Sequence, residues 1–431
     1  MAGNRVLSRR LPCAGREVRH SDPKKPSNPG SFLWKPLCGK LLAEGVHEED
    51  ESFSRFQRPG VGVKSSVTRI PQIVPWVGAE EKALVDGVLD DNWLTEGVRS
   101  REFASQLNRL TGAAYGVFAP NGTLALTLGL IALGIRRSDE VIVPNSTFVG
   151  SATAVLLAGG KPVFVDVDEQ TLQIDVAEAE HVVTANTAAI MPVHLMGTAA
   201  DMDAVMAFAR HHNLKVIEDA AQGIGVSYKG RHVGTIGDVG CFSFFADKTI
   251  TTGEGGFITC RSEEVYERLC LLRNQGRLNS GSFIHPAVGF NFRITDLQAA
   301  IGLAQLDKLE EIVARKRANL ALYREQLKDN PHVRVFEGAP DSFYVPFRCM
   351  LMCDRAFELA EYLSANFVDT RRFFYPLHKQ PCFSDIFGFS DDLSFPNSIG
   401  AYERGLLLPV YPTMLEGDIC RITSAIHSFY G

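Results

Sequence analysis

The sequence predicts an α/β fold in which a mostly parallel sheet is covered by helices on both faces. Three observations carry that expectation. Short apolar runs such as EVIVP at 140–144, PVFVDV at 162–167 and KVIEDAA at 215–221 have the length of buried strands. Segments of helical spacing separate them, the alternation that parallel pairing needs because each crossover takes about a dozen residues or more. Small and polar residues follow several of the runs, at the strand ends where open α/β sheets gather ligands.

Residues 1–66 stand apart from this pattern. RVLSRRLPCAGREVRHSDPKKPSNPG is basic, rich in Pro and without periodicity, so the stretch is expected to be a disordered extension. Its Arg and Lys content allows a transit peptide, and an over-extended start is the plain alternative. Met1 is the only methionine before Met191, so a shorter product would begin at a non-Met codon.

Residues 67–310 are expected to form the large domain. GAEEKALVDGVLDD and SREFASQLNRLTG read as amphipathic helices. Then come helix in GTLALTLGLIALG, strand in EVIVP, helix in FVGSATAVLLAG and strand in PVFVDV. Strand AAIMPVHL, helix DMDAVMAFARHH and strands KVIEDAA and VGCFSFF complete the series. Residues 311–431 are expected to form a smaller α+β domain, opened by the helix EEIVARKRANLALYREQLKD. FYVPFRCMLMC reads as a buried strand containing Cys349 and Cys353. The nine cysteines include no CxxC pair, which points away from metal or disulfide use and toward a reducing cytoplasm. A net charge of -6 argues against a nucleic-acid platform, and no run of 18 apolar residues offers a membrane span.

Three stretches carry candidate chemistry. Asn121, Gly122 and Thr123 open a helix, whose free N–H groups and positive dipole end suit an anion; an ordinary capped helix looks the same. Asp219 ends the run KVIED, with Gln222 three residues later. A carboxylate there needs a cation or donors, and a neighbouring loop could supply them. Glu218 alternates to the other face and is expected to meet solvent. Ser243 and Lys248 follow VGCFSFF. A half-buried lysine of lowered pKa attacks carbonyls, while a surface lysine on a hairpin is the plain reading. Neither a G-x-G-x-x-G turn nor a Walker A sequence is present. A lysine for a Schiff base, an acid for a ring nitrogen and donors for a phosphate are together the needs of pyridoxal phosphate (PLP).

From Arg69 onward, about 360 residues resemble the DegT/DnrJ/EryC1/StrS family of PLP-dependent sugar aminotransferases. The resemblance rests on NGTLAL, VIVPNSTFVGSA, PVFVDVD, VIEDAAQ, GCFSFFADKTITTGEGG and GFNFRITDLQAAIGLAQL. It implies PLP fold type I, with a doubly wound large domain and a smaller C-terminal one. It also implies that Lys248 carries PLP and moves the proton, and that Asp219 partners the ring nitrogen. Gln222 would lie on the ring's hydroxyl side and Phe148 against its face. Gly122, Thr123 and Ser243 would hold the phosphate, joined by Asn291 from the other subunit of a homodimer with shared active sites. The donor would be L-glutamate and the acceptor a nucleotide-linked 4-keto-6-deoxy sugar. VHLMGTAADMDAVMAFARHHNLKVIEDAAQ and LRNQG look most like the branch acting on GDP-4-keto-6-deoxymannose, with UDP- and dTDP-linked sugars as alternatives. His285, Arg371, Tyr375 and His378 are candidate sugar-nucleotide contacts; a packed loop is the alternative for the last three. Arg372 stands where relatives usually have Pro. A lysine-retaining PLP dehydratase and a PLP-binding regulatory protein are the competing readings. Lys248 in place of a histidine favours transamination, and the absence of clustered cysteines argues against an iron–sulfur dehydratase.

Overall fold

The computed structural model describes residues 68–431, except 280, 282 and 384–391. The extension predicted over 1–66 lies outside the described residues.

The chain enters through α1 (Ala79–Asp90) and α2 (Val98–Thr111) and then alternates. The order is β1 (Tyr115–Ala119), α3 (Gly122–Ala132), β2 (Glu140–Pro144), α4 (Val149–Leu157), β3 (Lys161–Val165), the single turn α5 (Val176–Ala179) and β4 (Thr187–Ile190). Next come α6 (Met202–His212), β5 (Lys215–Asp219), the short β6 (Ser227–Tyr228) and β7 (Arg231–His232), β8 (Val239–Ser243), β9 (Gly256–Cys260) and α7 (Glu263–Arg273). These build a seven-stranded sheet of order β1-β9-β8-β5-β4-β2-β3. Pairs β8/β5, β5/β4, β4/β2 and β2/β3 are parallel, and β9 alone runs against its neighbours β1 and β8. The predicted parallel α/β sheet is therefore present.

Both faces are buried, and the pleat sorts the side chains with a period of two. Phe118, Val216 and Phe242 point into one core with Phe103, Phe244 and Phe257. Their neighbours Val117, Ile217 and Cys241 point into the other with Leu128, Val143 and Met191. Helix α3 packs on β8 and β9 beside α4, which is why Ala125, Leu126, Leu128 and Leu130 are all buried.

Helices α8 (Asp296–Asp307) and α9 (Leu309–Leu327) follow. TDLQ at 295–298 forms a capping box, with Thr295 Oγ1 accepting from the Gln298 N–H. Asp296 reaches back to α2, accepting from the N–H groups of Gly97 (2.8 Å) and Ser100 (3.0 Å). The remainder comprises β10 (Val333–Val335), β11 (Ser342–Phe343), β12 (Cys349–Cys353), α10 (Ala356–Ala365), β13 (Arg371–Arg372), α11 (Pro396–Arg404), β14 (Gly405–Leu408) and α12 (Glu416–Tyr430). The order β10-β12-β14-β13 gives an antiparallel sheet in which β12 is the buried Cys349–Cys353 strand. A separate core of Leu320, Tyr323, Leu351, Leu359, Leu407 and Ile422 backs it. That core also takes Ile70, Val167 and Leu195, so the two ends of the described chain are stitched together. No helix among the described residues is long and apolar enough to cross a membrane.

Candidate active site

The carboxyl ends of β1, β2, β5 and β8 converge. At the first, Asn121 is an extended cap whose Oδ1 accepts from the Leu124 N–H at 3.0 Å. The first-turn N–H groups of Gly122 and Thr123 have no carbonyl behind them to bond. A Cβ on Gly122 would stand 2.8 Å from Ser243 Cβ, so the helix start lies directly against the end of β8. A Cβ on Gly150 would stand 2.8 Å from Thr123 Oγ1 and 3.0 Å from the Phe148 ring. The structure thus brings together Gly122, Thr123, Ser243 and Phe148. The Phe148 ring, 58% exposed, is open on one side.

Asp219 is the last residue of β5 and is buried. Its Oδ2 accepts from Ser151 Oγ at 2.7 Å and its Oδ1 from the Ala221 N–H at 3.1 Å. Burial pushes its carboxyl above the ordinary value, against the pull of those two donors and Lys248. Gln222 is buried beside it, with Oε1 held by the Met196 N–H at 2.6 Å.

Lys248 follows β8 on a loop fastened to that strand. The Thr252 N–H donates to the Phe244 carbonyl, and Thr251 Oγ1 donates to the same oxygen, each at 3.0 Å. Gly253 then turns with φ 79°, a conformation that costs glycine little. Lys248 Nζ lies 3.6 Å from Asp247 Oδ1 and 4.7 Å from the centroid of the Phe347 ring. Burial pushes its ammonium below the ordinary value; Arg348 adds to the effect, and Asp247 and Asp219 oppose it.

Glu218 corrects an expectation. It does not meet solvent: it is fully buried, because this sheet has no solvated face. Its carboxylate accepts from the N–H groups of Gly234 (2.7 Å), Ile236 (2.7 Å) and Gly237 (2.6 Å). His194 Nε2 completes the set at 2.9 Å. His194 Nδ1 accepts from the Ala200 N–H, so the ring proton is on Nε2 and is donated to Glu218. These donors, His194 foremost, hold the carboxyl below its ordinary range despite burial. The glycine pair in VGTIGD at 233–238 was the available signal.

The remaining candidates lie elsewhere. Asn291 is exposed, in an isolated bridge to Asn274. His285 is exposed, its Nδ1–H donating to the Gln275 carbonyl at 2.7 Å. Arg371 is exposed on β13, and Tyr375 lies edge-on to Tyr402 at 5.1 Å. Arg372 sits on the Phe357 ring at 3.4 Å and donates to the Tyr402 hydroxyl at 3.1 Å. His378 is buried against Phe395 at 4.5 Å. Both its ring nitrogens are engaged, Nδ1 by the Asn145 amide at 2.8 Å and Nε2 by Asp392 at 3.2 Å. Sequence reasoning passed over Asp247, Lys316 and Arg348, which surround Lys248 in a small cavity. Lys316 was hidden within a charged helical pattern.

Residues 75–427 match the sequence profile of the DegT/DnrJ/EryC1/StrS aminotransferase family. The chain belongs to that family. It is 36% identical to the GDP-perosamine synthase of Escherichia coli O157:H7, over 84% of this chain and 98% of that one. Against the GDP-perosamine synthase of Caulobacter vibrioides the figures are 37%, 84% and 98%. Among solved structures, S. venezuelae DesV superposes with a TM-score of 0.78 at 32% identity, covering 81% of this chain and 94% of that one. An aminotransferase from Psychrobacter cryohalolentis gives 0.79 at 29%, covering 84% and 99%. This family member is a PLP-dependent nucleotide-sugar aminotransferase of fold type I.

The residues present fit the cofactor. A lysine biased toward its neutral form, an under-donated buried carboxyl and a helix start with no Cβ at its tip are its requirements, gathered at one end of one sheet.

Proposed function

We propose that this enzyme converts GDP-4-keto-6-deoxymannose to GDP-perosamine, taking the amino group from L-glutamate and releasing 2-oxoglutarate. The likeness to two GDP-perosamine synthases over 98% of their lengths carries the choice of sugar. When bound, PLP supplies a sink for the electron pair left on a carbon that gives up a proton.

The chain's own residues do the rest. Lys248 holds the cofactor through Nζ, and that neutral amine, once released, takes and returns the proton at the reacting carbon. Asp219 keeps the ring nitrogen protonated; a cation there also relieves a carboxylate that has few donors. The Gly122 and Thr123 N–H groups and Ser243 Oγ hold the phosphate, and Phe148 covers one ring face. Met196 fixes Gln222 Oε1, which leaves the Gln222 NH2 as the end that donates to the ring's hydroxyl oxygen. His285, Arg371 and Tyr375 are assigned to the sugar nucleotide, and His378, buried with both ring nitrogens engaged, to holding their loop in place, with the segment 311–431 as the smaller domain.

We further propose a homodimer in which Asn291 completes the phosphate site of the second copy. Leu278, Phe283 and Val288, all more than 80% exposed, form an apolar loop ahead of Asn291 that suits such an interface.

The test of the reaction is direct. Purified enzyme with L-glutamate and GDP-, UDP- or dTDP-linked 4-keto-6-deoxy sugars should yield an aminated product fastest with the GDP sugar. Preference for another nucleotide redirects the substrate, and release of the deoxygenated sugar without donor consumption overturns transamination. The shared site is tested by co-expressing Lys248→Ala with Asn291→Ala chains. Each mixed dimer should hold one intact site, so random pairing should restore about a quarter of wild-type sites across the whole population.

A further inference from the structure

Gln173 is a buried polar side chain for which the reaction above has no use. It lies in the loop between β3 and α5 and is 3% exposed. Its own backbone is tied down, the Asp168 N–H donating to its carbonyl at 2.9 Å. Its amide grips one distant residue, Leu195, at both backbone groups. Oε1 accepts from the Leu195 N–H at 3.2 Å, and Nε2 donates to the Leu195 carbonyl at 3.3 Å. Nε2 also donates to the Thr171 carbonyl at 3.0 Å, which fixes which end of the amide is which.

The grip falls on a strained turn. Met196 has φ 60° and ψ 11°, the left-handed region that residues with a Cβ seldom adopt, and Gly197 follows at φ 82°. A side chain at 197 is excluded, because its Cβ would run into the Val345 carbonyl oxygen. The turn is held from outside as well: the Met196 carbonyl accepts from the Phe347 N–H and the Gly197 carbonyl from the Val345 N–H, each at 3.0 Å.

One planar unit connects this turn to the site. The Leu195 carbonyl and the Met196 N–H belong to the same trans peptide group, so they point in opposite directions from one plane. The oxygen end takes Gln173 Nε2 and, at 3.3 Å, the Thr198 N–H of the turn itself. The N–H end meets Gln222 Oε1 at 2.6 Å. A half-turn of the plane would carry the Met196 φ out of the left-handed region and relieve its strain. It would also face Gln222 with an oxygen. The Gln222 amide would then have to turn over, placing its NH2 on Leu195 and its own oxygen toward the cofactor ring.

We propose that Gln173 is a positioning residue: by holding the Leu195–Met196 peptide against that flip, it makes Gln222 present a donor, rather than an acceptor, to the ring's hydroxyl oxygen. This rests on the reading of Gln222 as the neighbour of that oxygen. The magnitudes suit the task. One left-handed residue costs about as much as one or two hydrogen bonds give, so two bonds from a single side chain decide the orientation.

The test reads the spectrum of the PLP-loaded enzyme without substrates, so turnover plays no part. A donor on the ring oxygen stabilises the form that has lost the proton shared between that oxygen and the Lys248 nitrogen. It therefore holds down the pH midpoint of the visible band. Gln222→Leu should raise that midpoint by roughly half a unit to one unit. Gln173→Met, which keeps the volume and removes both bonds to Leu195, should move it in the same direction. The double variant should match Gln222→Leu alone, since the one side chain acts only through the other. A natural midpoint in Gln173→Met, or a shift that adds in full to that of Gln222→Leu, would overturn the proposal. An unmoved midpoint in Gln222→Leu would break the reading of Gln222 itself, and the proposal with it. Should Gln173→Met not fold, hydrogen exchange in the natural protein decides. The Leu195 N–H, bonded to Gln173 Oε1, should be strongly protected, and fast exchange there overturns the lock.

Discussion

Glu218 and Asp219 are neighbours on one strand, both buried, and the protein treats them in opposite ways. Glu218 has three backbone N–H groups and the His194 ring around its carboxylate. Asp219 has one hydroxyl and one N–H. The first is held below its ordinary pKa, the second pushed above it. A buried charge that serves the fold is saturated with donors, whereas one that serves chemistry is left short so that a ligand can complete it. Lys248 extends the rule to a cation, since its nearest carboxylate is shared with Arg348.

The largest expected effect tests the under-satisfied side. Lys248→Ala should leave the fold intact, remove the visible absorbance of lysine-bound PLP, and lower turnover with glutamate by at least about 10³-fold. Retained absorbance would mean that another lysine is used. The comparison is sharpest in the paired substitutions Glu218→Gln and Asp219→Asn. In cofactor-free protein at neutral pH, Glu218→Gln should destabilise by roughly 3 kcal/mol in urea unfolding, because it breaks a satisfied buried charge. Asp219→Asn should match or exceed the natural protein in the same experiment while losing on the order of 10²-fold or more in turnover. A loss of stability from Asp219→Asn would show the two carboxylates to be alike after all.

Acid exposes the same difference. A carboxyl depressed in the folded state contributes stability above its unfolded value, and that contribution disappears as pH falls through the folded value. The Glu218 contribution should therefore persist down to the ordinary glutamate value of 4.5 and fade below it, leaving Glu218→Gln with a flatter acid-unfolding curve. The smallest effect is expected from Ser151→Ala. Loss of that donor costs about 1 kcal/mol and raises Asp219 further, so the acid limb of the rate profile should begin at a higher pH. An unmoved limb would mean that Asp219 does not control it.

The contrast also explains what was readable in the sequence. The strand–helix alternation was legible because apolar runs of a few residues have few other uses. Asp219, Ser243 and Lys248 were legible because each interrupts or ends such a run. Glu218 was misread because alternation implies a wet face only when the sheet has one, and here α3 and α4 cover one face while α2, α6 and α8 cover the other, on which Glu218 lies. Lys316 was illegible for a different reason. ARKR in a long helix looks solvated, and what buries its second basic residue arrives from Trp76, Phe347 and Tyr411, all distant in sequence. His378 shows the same limit: its bonds to Asn145 and Asp392 are settled by tertiary packing alone.

Helix α9 has one foot in each core. Leu309 and Ile312 belong to the core under the large sheet, Leu320 and Tyr323 to the one behind β12. Nineteen helical residues make a stiff rod of about 28 Å. Such a rod works as a tie-beam: the second core cannot swing on a soft elbow here, but only roll about the beam or carry it along. Lys316 is fixed at mid-span, so any shift of the C-terminal sheet that moves the beam also moves one wall of the cavity that Lys316 lines together with Lys248.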